Sequence, residues 1–247
     1  VTAGDPAPPP GSGPVTWRRL CASLAARLGS SAEARRIVER VSGLEGAGWY
    51  EGLDRPVAAR HAASAEAMAG RRLAGEPLQY VVGRWGFRSL DLLVDRRALI
   101  PRPETEQVVE VALAEARRLG DGPLVAVDLG TGSGAIALSI AVELPNAQVW
   151  GTDASPDALA VARANLAGIG TLCAPRVRLC EGWWFDALPP DLEGRVGLLV
   201  CNPPYVAAAE QLPAEVADWE PKVALVAGPT GLEQVAAVLA GAGRWLA

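Results

Sequence analysis

Leu124-Val125-Ala126-Val127-Asp128-Leu129-Gly130-Thr131-Gly132-Ser133-Gly134 opens as an apolar run and closes on three glycines spaced two apart. Ala135-Ile136-Ala137-Leu138-Ser139-Ile140-Ala141-Val142-Glu143 follows at once. The run reads as a buried strand over 124–128, and the segment after the glycines reads as a helix over 135–143. The glycines then make a tight strand-to-helix turn that lets backbone approach a ligand closely. The same alternation continues on the carboxyl-terminal side. Gln148–Asp153 is expected as a strand, Pro156–Ala167 as a helix, Arg176–Cys180 and Val196–Cys201 as strands, and Gly231–Leu246 as a helix. Upstream, a helix is expected from Glu104 to Leu119. Strands alternating with helices predict an α/β fold with a parallel, doubly wound sheet. In such sheets the ligand crevice lies at the carboxyl ends of the strands.

Asp153 falls 19 residues beyond Gly134, at the end of the next strand. A carboxylate there can accept hydrogen bonds from both hydroxyls of a ribose. It can also serve, with Ser155 and Asp157, to cap the following helix. The spacing Gly130, Gly132, Gly134 differs from the Gly-x-Gly-x-x-Gly of a pyrophosphate site. It resembles the S-adenosylmethionine loop of the seven-stranded methyltransferases. That cofactor carries no phosphate, so no P-loop lysine or metal site is expected. Glu181-Gly182-Trp183-Trp184-Phe185-Asp186 follows the third strand, where a flat aromatic could wall an adenine ring. Trp184 is the candidate; core packing of the three aromatics is the competing reading.

Asn202-Pro203-Pro204-Tyr205 terminates the last strand. Two prolines remove two backbone donors and fix φ twice. An amide side chain then stands at the start of a rigid turn and an aromatic at its end. A planar NH2 group offers two donors, which two convergent acceptors can grip. Asn202 and the Pro203 carbonyl are the candidate acceptors, with Tyr205 as a wall of the same pocket. The chemistry this suits is alkylation of an exocyclic or side-chain amino group.

Residues 1–14 are rich in Pro and Gly and are expected to be a disordered tail. Residues 15–75 show helical spacing: Leu20, Leu24 and Leu28, then Ile37, Val38 and Val41 after Ser30-Ser31, then a third helix over Pro56–Ala74. Their arginines read as solvated helix surface. Residues 76–103 read as a β-hairpin connector, with strands over Leu78–Val82, Trp85–Phe87 and Leu90–Val94 and further extended chain at Leu99-Ile100. Residues 104–247 then form the catalytic domain.

A formal net charge of −5 disfavours nucleic acid as the main partner. The four cysteines form no Cys-x-x-Cys pair and have only His61 to join them, which argues against a zinc site and for reduced thiols. No apolar run approaches the length of a membrane span.

Asn202–Tyr205, Leu99-Ile100-Pro101-Arg102-Pro103-Glu104-Thr105-Glu106 and Gly75-Glu76-Pro77-Leu78-Gln79-Tyr80, with the small helical domain, resemble the peptide chain release factor glutamine methyltransferase family. The likeness covers residues 17–247 in consistent order. It implies a Rossmann-like methyltransferase sheet behind an amino-terminal helical domain that helps dock a class 1 release factor. The implied reaction is methyl transfer from S-adenosylmethionine to the Gln side-chain amide of the factor's Gly-Gly-Gln loop, in the cytoplasm. The resemblance assigns the cofactor to Gly130, Thr131, Gly132, Ser133, Gly134, Asp153, Trp184 and Asn202. It assigns the substrate amide to Asn202, Pro203, Pro204 and Tyr205, with Asn202, Pro203 and Tyr205 catalytic. Trp183 stands where many members have Asp. Members continue past the position of Ala247, so the sheet is expected to lack its carboxyl-terminal strands. Two alternatives stand beside this reading: an adenine-N6 methyltransferase acting on DNA or RNA, and a truncated, inactive binding protein.

Overall fold

The structure is a computed structural model that describes residues 15–171 and 173–247, so the expected tail over 1–14 lies outside the described residues. The chain divides into two compact units at Val82/Gly83.

The first unit is helical. Its elements are α1 (Trp17–Leu28), α2 (Ser31–Ser42), α3 (Ala47–Gly52), α4 (Ala59–Leu73) and α5 (Leu78–Val82). Thr16 and Ser30 cap α1 and α2 by accepting from Arg19 N–H and Glu33 N–H. Leu20, Leu24, Ile37 and Val38 are buried, as their spacing predicts. The third helix starts later than expected, because Pro56 pairs with Thr16 in an isolated bridge instead of entering α4. Leu78–Val82 is a helix and not a strand. Tyr80, Val81 and Val82 are buried there, against α2 and α4. Five of the arginines face carboxylates: Arg18 faces Asp54, Arg35 and Arg36 face Glu39, Arg71 faces Glu76, and Arg72 faces Glu33; Arg19 is exposed, as expected. His61 stacks on Trp17 with ring centroids 5.9 Å apart.

The second unit begins with an antiparallel hairpin, β1 (Arg84–Phe87) and β2 (Leu90–Leu93). Helix α6 (Pro103–Arg118) follows, with Pro103 in its first turn. Then come β3 (Leu124–Leu129), α7 (Ala135–Glu143), β4 (Ala147–Asp153), α8 (Pro156–Gly168), β5 (Val177–Glu181) and β6 (Leu198–Cys201). The strands form one parallel sheet in the order β5-β4-β3-β6. From β3 the chain steps to one side for β4 and β5 and returns to the other side for β6. The crevice of a doubly wound sheet therefore opens between the ends of β3 and its neighbours. Leu129 pairs with Cys201, so Gly130 and Asn202 leave adjacent strands at the same height. A short parallel pair, β7 (Val206–Ala207) with β8 (Val226–Gly228), encloses the four-residue α9 (Ala214–Ala217), and α10 (Glu233–Trp245) ends the described chain.

Helix α7 is buried on every side, which is why its sequence shows no polar face. A second layer of core joins Val127 and Leu129 to Leu188, Leu192, Val196, Val238 and Trp245. Phe185 stacks on Trp245 at 5.8 Å within it.

Candidate active site

The glycine loop has its spacing because every second residue needs a left-handed backbone. Gly130, Gly132 and Gly134 have φ of 72°, 57° and 86°, a region that L side chains enter at a cost. A Cβ on Gly130 would also sit 3.3 Å from the Trp184 ring. The loop is braced from beneath. Thr131 N–H donates to the Thr152 carbonyl at 2.8 Å, and Asn165 donates to the Ser133 carbonyl at 2.9 Å while exchanging two hydrogen bonds with Leu93.

Two carboxylates support this loop in different ways. Asp128 is fully buried; one oxygen accepts from Thr131 Oγ1 at 2.6 Å and from Ala137 N–H at 3.1 Å. Desolvation pushes its pKa up to about 7 against the opposing effect of those donors. Asp153 accepts from Gly132 N–H at 2.8 Å through one oxygen and from Ser155 N–H at 2.9 Å through the other. Each of its oxygens keeps a second lone pair. Burial raises its pKa against those two bonds. The cap of α8 is Ser155, whose Oγ accepts from Ala158 N–H, so the capping role once open to Asp153 belongs to its neighbour.

The glycine loop, the Gly182–Trp184 turn and the start of the Asn202–Tyr205 turn meet in a cleft holding about 1090 Å³ of empty space, its open mouth included. Gly130, Thr131, Gly132, Ser133, Asp153, Trp184, Asn202 and Pro204 all line it. Gly134 stands behind the wall, at the start of α7. Trp184 has φ of 44° and is held by two bonds: its indole N–H donates to Gln234 Oε1 at 3.2 Å, and its carbonyl accepts from Thr152 Oγ1 at 3.1 Å. Of the three consecutive aromatics, Phe185 is half-buried and packs against the core, Trp184 is half-buried between core and cleft wall, and Trp183 lines the cleft with 54% of its surface exposed.

Tyr205 does not wall this cleft. It lines a second, adjoining cavity with Pro203, Glu104, Val108 and Val206, and is 68% exposed. The chain turns after Pro204 so that Val206 can pair with Val226, which carries Tyr205 outward. Asn202 and Thr105 line both cavities, as do Leu99, Arg102 and Ala224. Asn202 Nδ2 donates to Thr105 Oγ1 at 3.4 Å. Among the described residues no hydrogen bond ends on the Pro203 carbonyl.

Glu220 was not singled out from the sequence. Its side chain is 1% exposed and accepts from Ile100 N–H at 3.2 Å and from the Arg102 guanidinium at 2.5 Å. It joins the 97–102 wall of the cleft to the wall made by Pro221, Val223 and Ala224. Nothing local in Trp219-Glu220-Pro221 announces this, because both partners lie more than a hundred residues away.

The cleft suits a nucleoside-like cofactor without phosphate. Three glycines bare the backbone, Asp153 retains acceptor capacity, aromatic rings flank an apolar wall, and the lining contains no lysine. Two family models match the chain: PrmC N-terminal domain over residues 17–83 and methyltransferase small domain over residues 119–218. The release factor glutamine methyltransferase of Geobacter sulfurreducens is 38% identical over 203 residues, covering 81% of this chain and 68% of its own length. That of Chlorobaculum tepidum is 41% identical over 210 residues, covering 81% and 69%. That of Bordetella pertussis is 42% identical over 217 residues, covering 87% and 77%.

Proposed function

Because the chain belongs to the release factor glutamine methyltransferase family, we propose that it methylates the side-chain amide nitrogen of the Gln in the Gly-Gly-Gln loop of class 1 peptide chain release factors. The cofactor is S-adenosylmethionine, which supplies an electrophilic methyl group on a sulfonium. The observation that carries the residue assignments is the position of Asn202 on the wall shared by two cavities. One cavity has the features of a nucleoside site. The other is edged by Pro203 and Tyr205 and opens to the surface.

A carboxamide nitrogen is a poor nucleophile, because its lone pair is delocalised into the carbonyl. The protein's task is therefore alignment. Gly130–Ser133 backbone and Asp153 hold the nucleoside, with Asp153 accepting from the ribose hydroxyls and the Trp183 and Trp184 rings flanking the base, while Gly134 shapes the turn from behind. Asn202 Oδ1 and the Pro203 carbonyl accept the two N–H bonds of the substrate amide and stabilise positive charge as it develops on nitrogen. Tyr205, on the second cavity beside Pro203, packs against the amide plane, and Pro204 borders it from the cleft side. The displaced proton leaves to solvent through the open mouth. The helices of residues 15–75 serve as the docking domain for the factor, residues 76–103 as the connector and residues 104–247 as the catalytic domain. Among the described residues no helix is long and apolar enough to cross a membrane; a release factor as substrate places the protein in the cytoplasm.

The test is transfer of tritium from methyl-labelled S-adenosylmethionine to three acceptors side by side: a purified class 1 release factor, the same factor with its loop Gln replaced by Glu, and DNA plus RNA. Label is expected on the parent factor alone. Label on nucleic acid in place of the factor would overturn the reading.

A further inference from the structure

We propose that Thr105 is a positioning residue for methyl transfer: it holds the Asn202 side chain by its NH2 end, so that the amide oxygen faces the substrate. The proposal rests on the reading of Asn202 as the grip on the substrate amide.

A terminal amide is nearly symmetric in shape and opposite in chemistry at its two ends. One end has two donors, the other an oxygen with two lone pairs. Turning it over changes little in packing, so its orientation comes from the hydrogen-bond partners at its two ends. At one end is Thr105 Oγ1, which accepts from Asn202 Nδ2 at 3.4 Å; at the other the incoming amide offers only N–H, so the arrangement that satisfies both ends is the one with Oδ1 toward the substrate. Thr105 is 8% exposed and lines both cavities with Asn202. A reversed Asn202 would present N–H to the N–H of the incoming amide. The two would repel, and the nitrogen would lose the acceptor that steadies its developing charge.

Thr105 is itself held in place. It sits in the first turn of α6, and its backbone N–H donates to the Arg102 carbonyl at 3.0 Å. Arg102 and Ile100 are in turn fixed by the buried Glu220 carboxylate. The contacts run without a break from Glu220 through residues 100–102 to Thr105 and then to Asn202. Every member is on the wall of the cleft or directly behind it. Thr105 touches neither reacting atom in this scheme; it acts through Asn202.

The experiment uses the full chain and compares the parent with Thr105→Val, which keeps the shape and removes the oxygen, and Thr105→Ser, which keeps the oxygen. Steady-state methylation of a purified release factor, calorimetric affinity for S-adenosylmethionine and the thermal unfolding midpoint are measured on each. Thr105→Val is expected to lower kcat by about tenfold or more, with KM for the factor and cofactor affinity changed by less than about twofold. Thr105→Ser is expected to restore most of kcat. Parent-like kcat in Thr105→Val overturns the proposal. So does a parallel fall in kcat, cofactor affinity and unfolding midpoint that Ser fails to restore, because that pattern describes a packing role. Should Thr105→Val not hold its fold, Thr105→Ala removes the same oxygen without crowding and is judged by the same outcomes. A parent that transfers no label to the factor fails the functional reading before any variant is compared.

Discussion

At the scale of single residues, the two acids of the site differ in what their environments ask of them. Asp153 already accepts two backbone N–H groups and has lone pairs to spare, so it can be both brace and ligand. Asp153→Ala should weaken S-adenosylmethionine binding by about 1–3 kcal/mol, the cost of leaving charge-assisted hydrogen bonds unmet. Calorimetry on parent and variant reads this directly, and equal affinities would remove Asp153 from the site. Asp128 has no such freedom. Its folded pKa is raised by burial to about 7, with the charge of Asp153 adding to the rise. An exposed aspartate in the unfolded chain titrates near ~3.9. The folded state therefore keeps a proton that the unfolded state has lost. Its contribution to stability is fully present below the unfolded value and is lost as pH rises through the folded one. Asp128→Asn cannot lose that proton. Urea unfolding at pH 5 and pH 8 should show the variant gaining on the parent at the higher pH; an unchanged difference would mean Asp128 is charged in the folded protein. Asp128 was legible in the sequence only as the first letter of a motif. That it lies wholly out of water required the packing of α7 over the end of β3.

At the scale of elements, periodicity located the strands and helices that have a consistent face or a punctuating glycine. Helix α7 matches its expected bounds at both ends because Gly134 starts it and Pro145 follows it. Leu78–Val82 reads as a strand because four of its five residues are apolar, two of them β-branched, and so short a run has the same pattern in a buried strand as in one helical turn. The bond from Val81 N–H to the Pro77 carbonyl and burial against α2 and α4 decide for the helix. The wall segments 97–102 and 219–225 have little regular structure, so periodicity says nothing about them. One carboxylate joins them. Glu220→Ala would leave the Arg102 charge and the Ile100 N–H without their partner, and should cost roughly 2–4 kcal/mol of stability. Chemical denaturation checks this, and a loss under ~0.5 kcal/mol, the scale of an ordinary surface substitution, would show that the clamp is idle.

At the scale of the whole molecule, the arginines of the helical unit are of two kinds. Arg18, Arg35, Arg36, Arg71 and Arg72 each face a carboxylate, whereas Arg19, Arg40, Arg55 and Arg60 are exposed with no ion pair among the described residues. If the helical unit docks the factor, the intact release factor should exceed a short Gly-Gly-Gln peptide in kcat/KM by about a hundredfold or more, on the scale of an added docking interaction. Equal values measured on the full chain would deny the unit that role. By itself the sequence determined the parallel α/β sheet, the glycine loop, the acid after β4 and the Asn-Pro-Pro-Tyr turn. Each is local chemistry: a left-handed backbone that only glycine takes cheaply, a strand that prolines must end, an apolar run that must be buried. Tertiary structure alone decided that Gly130 and Asn202 leave neighbouring strands level with each other, that Tyr205 faces a second cavity, and that Thr105 and Glu220 belong to the site. Those facts depend on strand order and on contacts between residues roughly a hundred positions apart, and no local pattern of residues encodes such a distance.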